Sequence, residues 1–372
     1  MVELADIFRR HGPAYRARFG ERMLPGHLKA MRAIEQCRTA ALGGQVYTCP
    51  QCGESRYVYH SCRDRHCPKC QNANAQEWLV AQHDLLLPTA YFMLTFTLPA
   101  ALRDLARSNQ RLFYDLLFRA SAQAAQALAR DPRFCGGQLG LVGVLHTWGR
   151  NLAFHPHVHY LVPAGAVAAD GHTWLPVQHA NFLLPVKALS RIFRAKFRDA
   201  LRASDCFAQI PAAVWQQPWV VHCQPVGDGW HALKYLAPYI FRVAISNARI
   251  LKLENGRVTF RYRSSDTQRT TFCTLPAEEF IHRFLQHVLP KGFVKVRYYG
   301  FFAPALRPRL AAVRQQLEGS PACVPVPAPP QTAPLCPSCG RPMLRCSGTP
   351  PVDMAGDVPG ASLEPVQEAR PP

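Results

Sequence analysis

Apolar and polar positions alternate in the extended segments of this chain, and recur every three to four residues in its helical ones. Residues 91–99 (YFMLTFTLP) alternate and stop at Pro99, which predicts a strand. LGLVGVLHTWG (139–149) and LAFHPHVHYLV (152–162) predict two more, joined by a two-residue Arg150-Asn151 turn. PWVVHCQPV (218–226) and GFVKVRYYGFF (292–302) also read as strands, and 249–275 as a hairpin turning at Asn255-Gly256. Helical spacing runs through 109–130, 187–203, 230–245 and 277–288. Near the N-terminus, Leu28, Met31 and Ile34 share one helical face, and Pro13 and Pro25 interrupt the first forty residues. The segments QVYTC and SRYVYHSC read as short strands in a cysteine-rich stretch, with a helix after it to about Leu87.

These elements predict an α+β protein in four consecutive parts. They are an N-terminal helical segment (1–44), a cysteine-bearing ribbon with a linker helix (45–88), a larger α+β domain (89–319) and a disordered tail (320–372). Fourteen of the 33 prolines fall in that tail, which argues against a packed domain there.

Charge adds a partner to this picture. The 372 residues carry 43 Lys+Arg against 24 Asp+Glu, a formal charge of +19, which points to nucleic acid. A hydrophobic fraction of 48% excludes a wholly disordered chain. No uncharged apolar run reaches the ~18 residues of a membrane span, and MVELADIFRRHG has no secretory core. A cytoplasmic protein is therefore expected, with its fourteen cysteines serving as metal ligands or core residues rather than disulfides.

Cys49-Pro-Gln-Cys52 and Cys67-Pro-Lys-Cys70 are two Cys-x-x-Cys knuckles with fourteen residues between them. Two such turns present four thiolates tetrahedrally to one structural Zn2+. A ribbon this small has little core and folds by binding its metal. Cys37, His60, Cys62 and His66 lie close by and offer a substitute ligand or part of a second site. Arg56, Arg63, Arg65, His66 and Lys69 give the ribbon a DNA-contacting surface. In the tail, Cys336 and Cys339 form half a site, for which Cys346 would be a third ligand.

Residues 155–159 read His-Pro-His-Val-His, so on a strand His155, His157 and His159 share a face. With a two-residue turn at Arg150-Asn151, His146 pairs with His155 and joins that face. Imidazoles converging without nearby thiols suit a divalent cation such as Mn2+, Zn2+ or Mg2+. Tyr235 and Tyr239 are four apart on one helical face, with Arg242 along the same face. A phenol beside a metal and a cation is a nucleophile for a phosphodiester. Such a tyrosine pair is ordinarily core or surface, and the histidine strand is what gives it weight.

The stretches LGGQVYTCPQCG, SCRDRHCPKCQ, FHPHVHYLVPAG, WVVHCQP and YLAPYIFRVAISN occur in an order that resembles the insertion sequence 91 family of rolling-circle transposases. The resemblance covers most of residues 20–305. It implies an HUH nuclease fold, with a central antiparallel sheet flanked by helices, the metal histidines on a middle strand and the tyrosines on a nearby helix. By this resemblance His157 and His159 are the metal pair, with Mg2+ or Mn2+ as the catalytic metal; strand pairing offers His146, preferred, or His155 as third ligand, and His222 on another strand after them. Tyr235 and Tyr239 are the nucleophiles. The implied reaction cleaves single-stranded DNA at the hairpin ends of a mobile element, links tyrosine to the 5′-phosphate and frees a 3′-OH. Strand transfer reverses the step. Such a protein works on the nucleoid in a bacterial cytoplasm. Pro238 and Phe241 depart from the family, which commonly carries Arg and His there; Pro238 removes the backbone bond to Lys234 and kinks the helix. Two other readings share these features: a relaxase or replication initiator using the same chemistry, and a catalytically inactive zinc-ribbon DNA-binding protein.

Overall fold

The alternating segments are strands and the periodic ones helices in the computed structural model, which describes residues 2–70, 78, 82, 85–228, 231, 244–264, 267–317 and 333–346. In chain order the elements are α1 (Leu4–Phe19), α2 (Pro25–Gln36), β1 (Gly44–Thr48), β2 (Ser55–Tyr59), β3 (Ala90–Thr97), α3 (Arg103–Ser108) and α4 (Gln110–Ala129). They continue with β4 (Gly140–Trp148), β5 (Phe154–Pro163), β6 (Gly165–Val167), β7 (Trp174–Pro176), α5 (Val186–Leu201) and β8 (Val221–Asp228). The last are β9 (Ile250–Glu254), β10 (Arg257–Arg263), β11 (Thr270–Pro276), α6 (Ala277–Leu285), β12 (Val296–Gly300), α7 (Leu310–Gln316) and β13 (Leu344–Arg345). The fold class is α+β, as expected. The helix over 230–245 and the linker helix after Cys70 fall almost wholly outside the described residues.

Two units divide the chain, one of residues 1–35 with 63–329 and one of residues 36–62 with 330–372. This cuts across the four consecutive parts read from the sequence, because residues 333–346 of the tail are ordered into the same unit as the first cysteine knuckle.

The first unit is organised by a five-stranded antiparallel sheet in the order β12-β4-β5-β3-β8. One face is the apolar core: Leu94, Phe96, Leu145, Val158 and Tyr160 meet α4 and α5 through Phe113, Leu117, Phe193 and Phe197. The other face divides along its length. Tyr91, Met93, Val142, Val144 and Leu161 pack against Phe301, Leu310 and Val313, while the histidines occupy the opposite end.

Register in the middle of the sheet is fixed by a glycine. Gly143 pairs with Tyr160, and a Cβ on Gly143 would lie 2.5 Å from the Tyr160 ring. The ring therefore lies over bare backbone, and its hydroxyl meets Ser121 Oγ at 2.8 Å and the Phe118 carbonyl at 3.0 Å. A one-residue slip would turn every side chain of β5 to the wrong face.

The β4–β5 connection differs from the expected two-residue turn. The Gly149 N–H donates to the Ala153 carbonyl across Arg150, Asn151 and Leu152, and Leu152 adopts a left-handed φ of 64°. With a register shift between His146 and Trp148, His146 stands opposite His157 rather than His155. The hairpin of β9 and β10 does turn at Asn255-Gly256, both at positive φ. Pro13 does not interrupt the first helix but lies inside α1. The buried face of Leu4, Ile7, Phe8 and Tyr15 outweighs the ~3 kcal/mol a mid-helix proline costs; Phe8 stacks edge-on against Phe284 of α6 at 5.4 Å.

His287, just beyond α6, staples the β4–β5 connection. Its Nε2–H donates to the Leu152 carbonyl at 3.1 Å, and Nδ1 lies 3.2 Å from the Thr147 hydroxyl. Burial lowers its pKa from the usual 6.5 to about 4. Between these values the unfolded chain binds more protons than the folded one, so stability falls as pH drops from about 6.5 toward 4. His287→Gln is expected to flatten this loss by on the order of 2 kcal/mol between pH 7 and pH 5, read from urea midpoints. An identical pH profile in the variant would remove His287 as the source.

Candidate functional site

The histidine end of the sheet is assembled by β4 and β5. Alternation along β5 puts His155, His157 and His159 on one face, and direct pairing brings His146 beside His157. His146, His157 and His159 form a group whose candidate ligand nitrogens lie within 4.8 Å of one another. Ring centroids are 5.2 Å apart for His146 and His157, 4.9 Å for His146 and His159, and 4.8 Å for His157 and His159.

Neighbouring groups orient these rings. The Nδ1–H of His157 donates to the His155 carbonyl at 2.6 Å, which leaves Nε2 with a free lone pair. Nδ1 of His159 is 2.8 Å from Thr95 Oγ1 on β3, across the pair Thr95–His159. Burial holds His157 well below the usual imidazole pKa and brings His159 down to about 4. Both are therefore neutral near pH 7, the form that ligates metal. Two neutral, anchored imidazoles with His146 beside them are a donor set that fits a divalent cation of the Mn2+ or Zn2+ type.

Of the third ligands left open by the sequence, the structure groups His146 with the pair. His155 is turned to another partner, its Nδ1 2.6 Å from the Arg103 guanidinium. His222 on β8 faces the same side across Thr95 and is exposed; it is not part of the group. Tyr235, Tyr239 and Arg242 lie outside the described residues. Sequence reasoning missed Thr95, whose role depends on strand register and carries no local signal.

A four-cysteine group lies in the second unit. The sequence reading joins Cys49 and Cys52 to Cys67 and Cys70; the structure sets them beside Cys336 and Cys339 instead, with all four sulfurs within 4.8 Å. Cys67 and Cys70 belong to the first unit, where the Cys70 N–H donates to the Cys67 carbonyl in a tight turn. Cys346 is not in the group; its sulfur lies 3.0 Å from Thr48 Oγ1. The Cys49 thiol is lowered to about 7, first by the backbone N–H of Cys52. Against hydrogen bonding from Glu54 that favours its thiolate, the Cys336, Cys49 and Cys339 thiols push Cys52 up to about 12. A cation bound among them would let four thiolates coexist.

Three of the five side chains expected to face DNA are committed to the protein itself. Arg65 donates to the carbonyls of Phe293, Pro290 and Leu289. His66 bridges Asp64 and the Leu289 N–H, and Lys69 pairs with Glu3.

A family model described as "Transposase zinc-binding domain" matches residues 7–98, and one described as "Putative transposase" matches residues 140–309. The chain is 43% identical over 352 residues to "Putative transposase y4qJ" of Sinorhizobium fredii, an alignment spanning 89% of this chain and 86% of that one. It is 31% identical over 288 residues to "Transposase for insertion sequence element IS801" of Pseudomonas savastanoi pv. phaseolicola, spanning 72% and 68%. No solved structure matches the chain. Matches of this extent make the protein a transposase, an enzyme that cleaves and transfers DNA strands. More narrowly, it belongs to the insertion sequence 91 family. DNA is thus the partner that its positive charge anticipates, and the zinc-binding match together with the four-cysteine group supports a structural zinc. Among the described residues no helix is long and apolar enough to cross a membrane.

Removing the Thr95 hydroxyl frees the His159 ring without touching a ligand. Thr95→Val is expected to weaken Mn2+ binding about 10- to 100-fold, and His146→Ala to weaken it at least as much. Calorimetric titration of the purified chain checks this; unchanged affinity in both variants would dissolve the three-histidine site.

Proposed function

We propose that this transposase is of the rolling-circle type and cuts single-stranded DNA at the ends of an insertion sequence with a tyrosine nucleophile. The observation that carries the reading is the group of His146, His157 and His159 on adjacent strands, in a chain of this family. Tyr235 is the preferred nucleophile, with Tyr239 available for a second end; both roles rest on the sequence. The phenol oxygen attacks the scissile phosphorus, the phenol loses its proton, and the 3′-oxygen leaves and gains one. The 5′-phosphate stays on tyrosine, so the bond energy is kept and rejoining needs no ATP. His146, His157 and His159 would hold a divalent metal, Mg2+ or Mn2+, which when bound polarises the phosphoryl oxygens. Arg242 adds a fixed positive charge for the phosphate.

Family membership favours a transposase over a relaxase or replication initiator, and the oriented histidine group weighs against a catalytically inactive DNA-binding protein. The DNA substrate is the hairpin end of the element, met in the bacterial cytoplasm on the nucleoid.

The test is incubation of the chain with single-stranded DNA from the element's end and Mg2+ or Mn2+, followed by denaturing electrophoresis. A covalent protein–DNA adduct is expected, lost in Tyr235→Phe and reduced about a hundredfold or more in His157→Ala with His159→Ala. No adduct under either metal would sink the nuclease reading. Retention in Tyr235→Phe with loss in Tyr239→Phe would reverse the order of the tyrosines.

A further inference from the structure

The segment 333–346 lies beyond both family matches, which end at residues 98 and 309, yet it repeats the first knuckle. Cys49-Pro50-Gln51-Cys52-Gly53-Glu54 and Cys336-Pro337-Ser338-Cys339-Gly340-Arg341 share the pattern Cys-Pro-x-Cys-Gly-x. The likeness extends to backbone geometry. In the first, the Gly53 N–H donates to the Cys49 carbonyl at 3.0 Å and the Cys49 N–H to the Glu54 carbonyl at 2.8 Å. In the second, the Gly340 N–H donates to the Cys336 carbonyl at 2.9 Å and the Cys336 N–H to the Arg341 carbonyl at 2.8 Å. Gly53 and Gly340 both take a left-handed φ, 73° and 69°, which glycine adopts without strain.

The two turns face each other. Sulfur separations across the pair are 3.4 Å for Cys49 and Cys339, 3.5 Å for Cys52 and Cys336, and 3.7 Å for Cys52 and Cys339. A tetrahedron of sulfurs about 2.3 Å from a central ion has edges near ~3.8 Å, whereas a disulfide would bring two sulfurs to about 2.05 Å. The four sulfurs therefore stand at the spacing of a tetrathiolate metal site. β13 completes the arrangement by adding to the edge of β1, with Tyr47 opposite Arg345 and Thr48 opposite Leu344, and the Cys346 N–H donates to the Val46 carbonyl at 3.0 Å. Among the described residues the apolar core beneath is Cys49, Cys336 and Met343, with Tyr47 against it. So small a core does not hold a three-stranded ribbon without a cross-link.

We propose that one Zn2+ is bound by Cys49, Cys52, Cys336 and Cys339, so that the C-terminal segment supplies half of the structural zinc site and is an integral strand of the ribbon. The inference is independent of the tyrosine chemistry. It concerns which cysteines share an ion, and it predicts that the two knuckles act as one.

Zinc per chain, measured by plasma mass spectrometry on the purified full chain, tests this. Cys336→Ser with Cys339→Ser is expected to lose one zinc per chain, Cys49→Ser with Cys52→Ser the same one, and the four-residue variant no more than either. Cys339 is exposed, so Cys339→His has room to ligate. It should keep the zinc and, in the Co2+-loaded chain, weaken the thiolate-to-cobalt absorption, a readout that general misfolding would not reproduce. Full zinc content in the Cys336/Cys339 variant overturns the proposal. So does a four-residue variant that loses two ions where each pair loses one.

Discussion

The antiparallel pairing of β4 with β5, in the register that sets His146 opposite His157, is the constraint on which the rest of the first unit depends. It is held from both ends. At one end the Tyr160 ring covers Gly143, with its hydroxyl anchored on α4 through Ser121. At the other, His287 ties Thr147 to the Leu152 carbonyl. Between these anchors the same alternation sends Val158 and Tyr160 into the core and His157 and His159 to the opposite face.

Burial and orientation then act together on the histidines. The protein surrounding His157 and His159 keeps them neutral, and a neutral imidazole must place its one N–H somewhere. For His157 the His155 carbonyl accepts it, which fixes the tautomer and aims the other nitrogen at the cluster. The Arg103 contact does the reverse for His155 and withdraws it. Two histidines that look equivalent in an alternating strand thus take different parts because of what lies beside them on other elements.

Much of this is legible in the sequence. The α+β class, the strands 91–99, 139–149 and 152–162, the shared histidine face and the hairpin at Asn255-Gly256 all follow from local spacing. Register does not, because the β4–β5 connection uses Leu152 in a left-handed conformation that no local preference announces. The partners of Cys49 and Cys52 are hidden for a different reason. Spacing ranks Cys67 and Cys70 first because they are near in the chain, whereas the observed partners are recognisable only by the likeness of two distant hexapeptides. The side chains around the ribbon looked free for DNA, but Arg65 and His66 face backbone groups of residues 289–293, which a one-dimensional reading does not bring together.

The ribbon's two knuckles also impose a timetable. Cys52 and Cys336 are 284 residues apart, and at an elongation rate of about 5–20 residues per second the second emerges roughly 15–60 s after the first. During that interval the early knuckle has neither its opposing turn nor the β13 edge strand. Its thiols are open to oxidation or to foreign metals. The ribbon that begins within the first 62 residues is therefore among the last parts of the molecule to be finished, after the strands that carry the histidines have all been made.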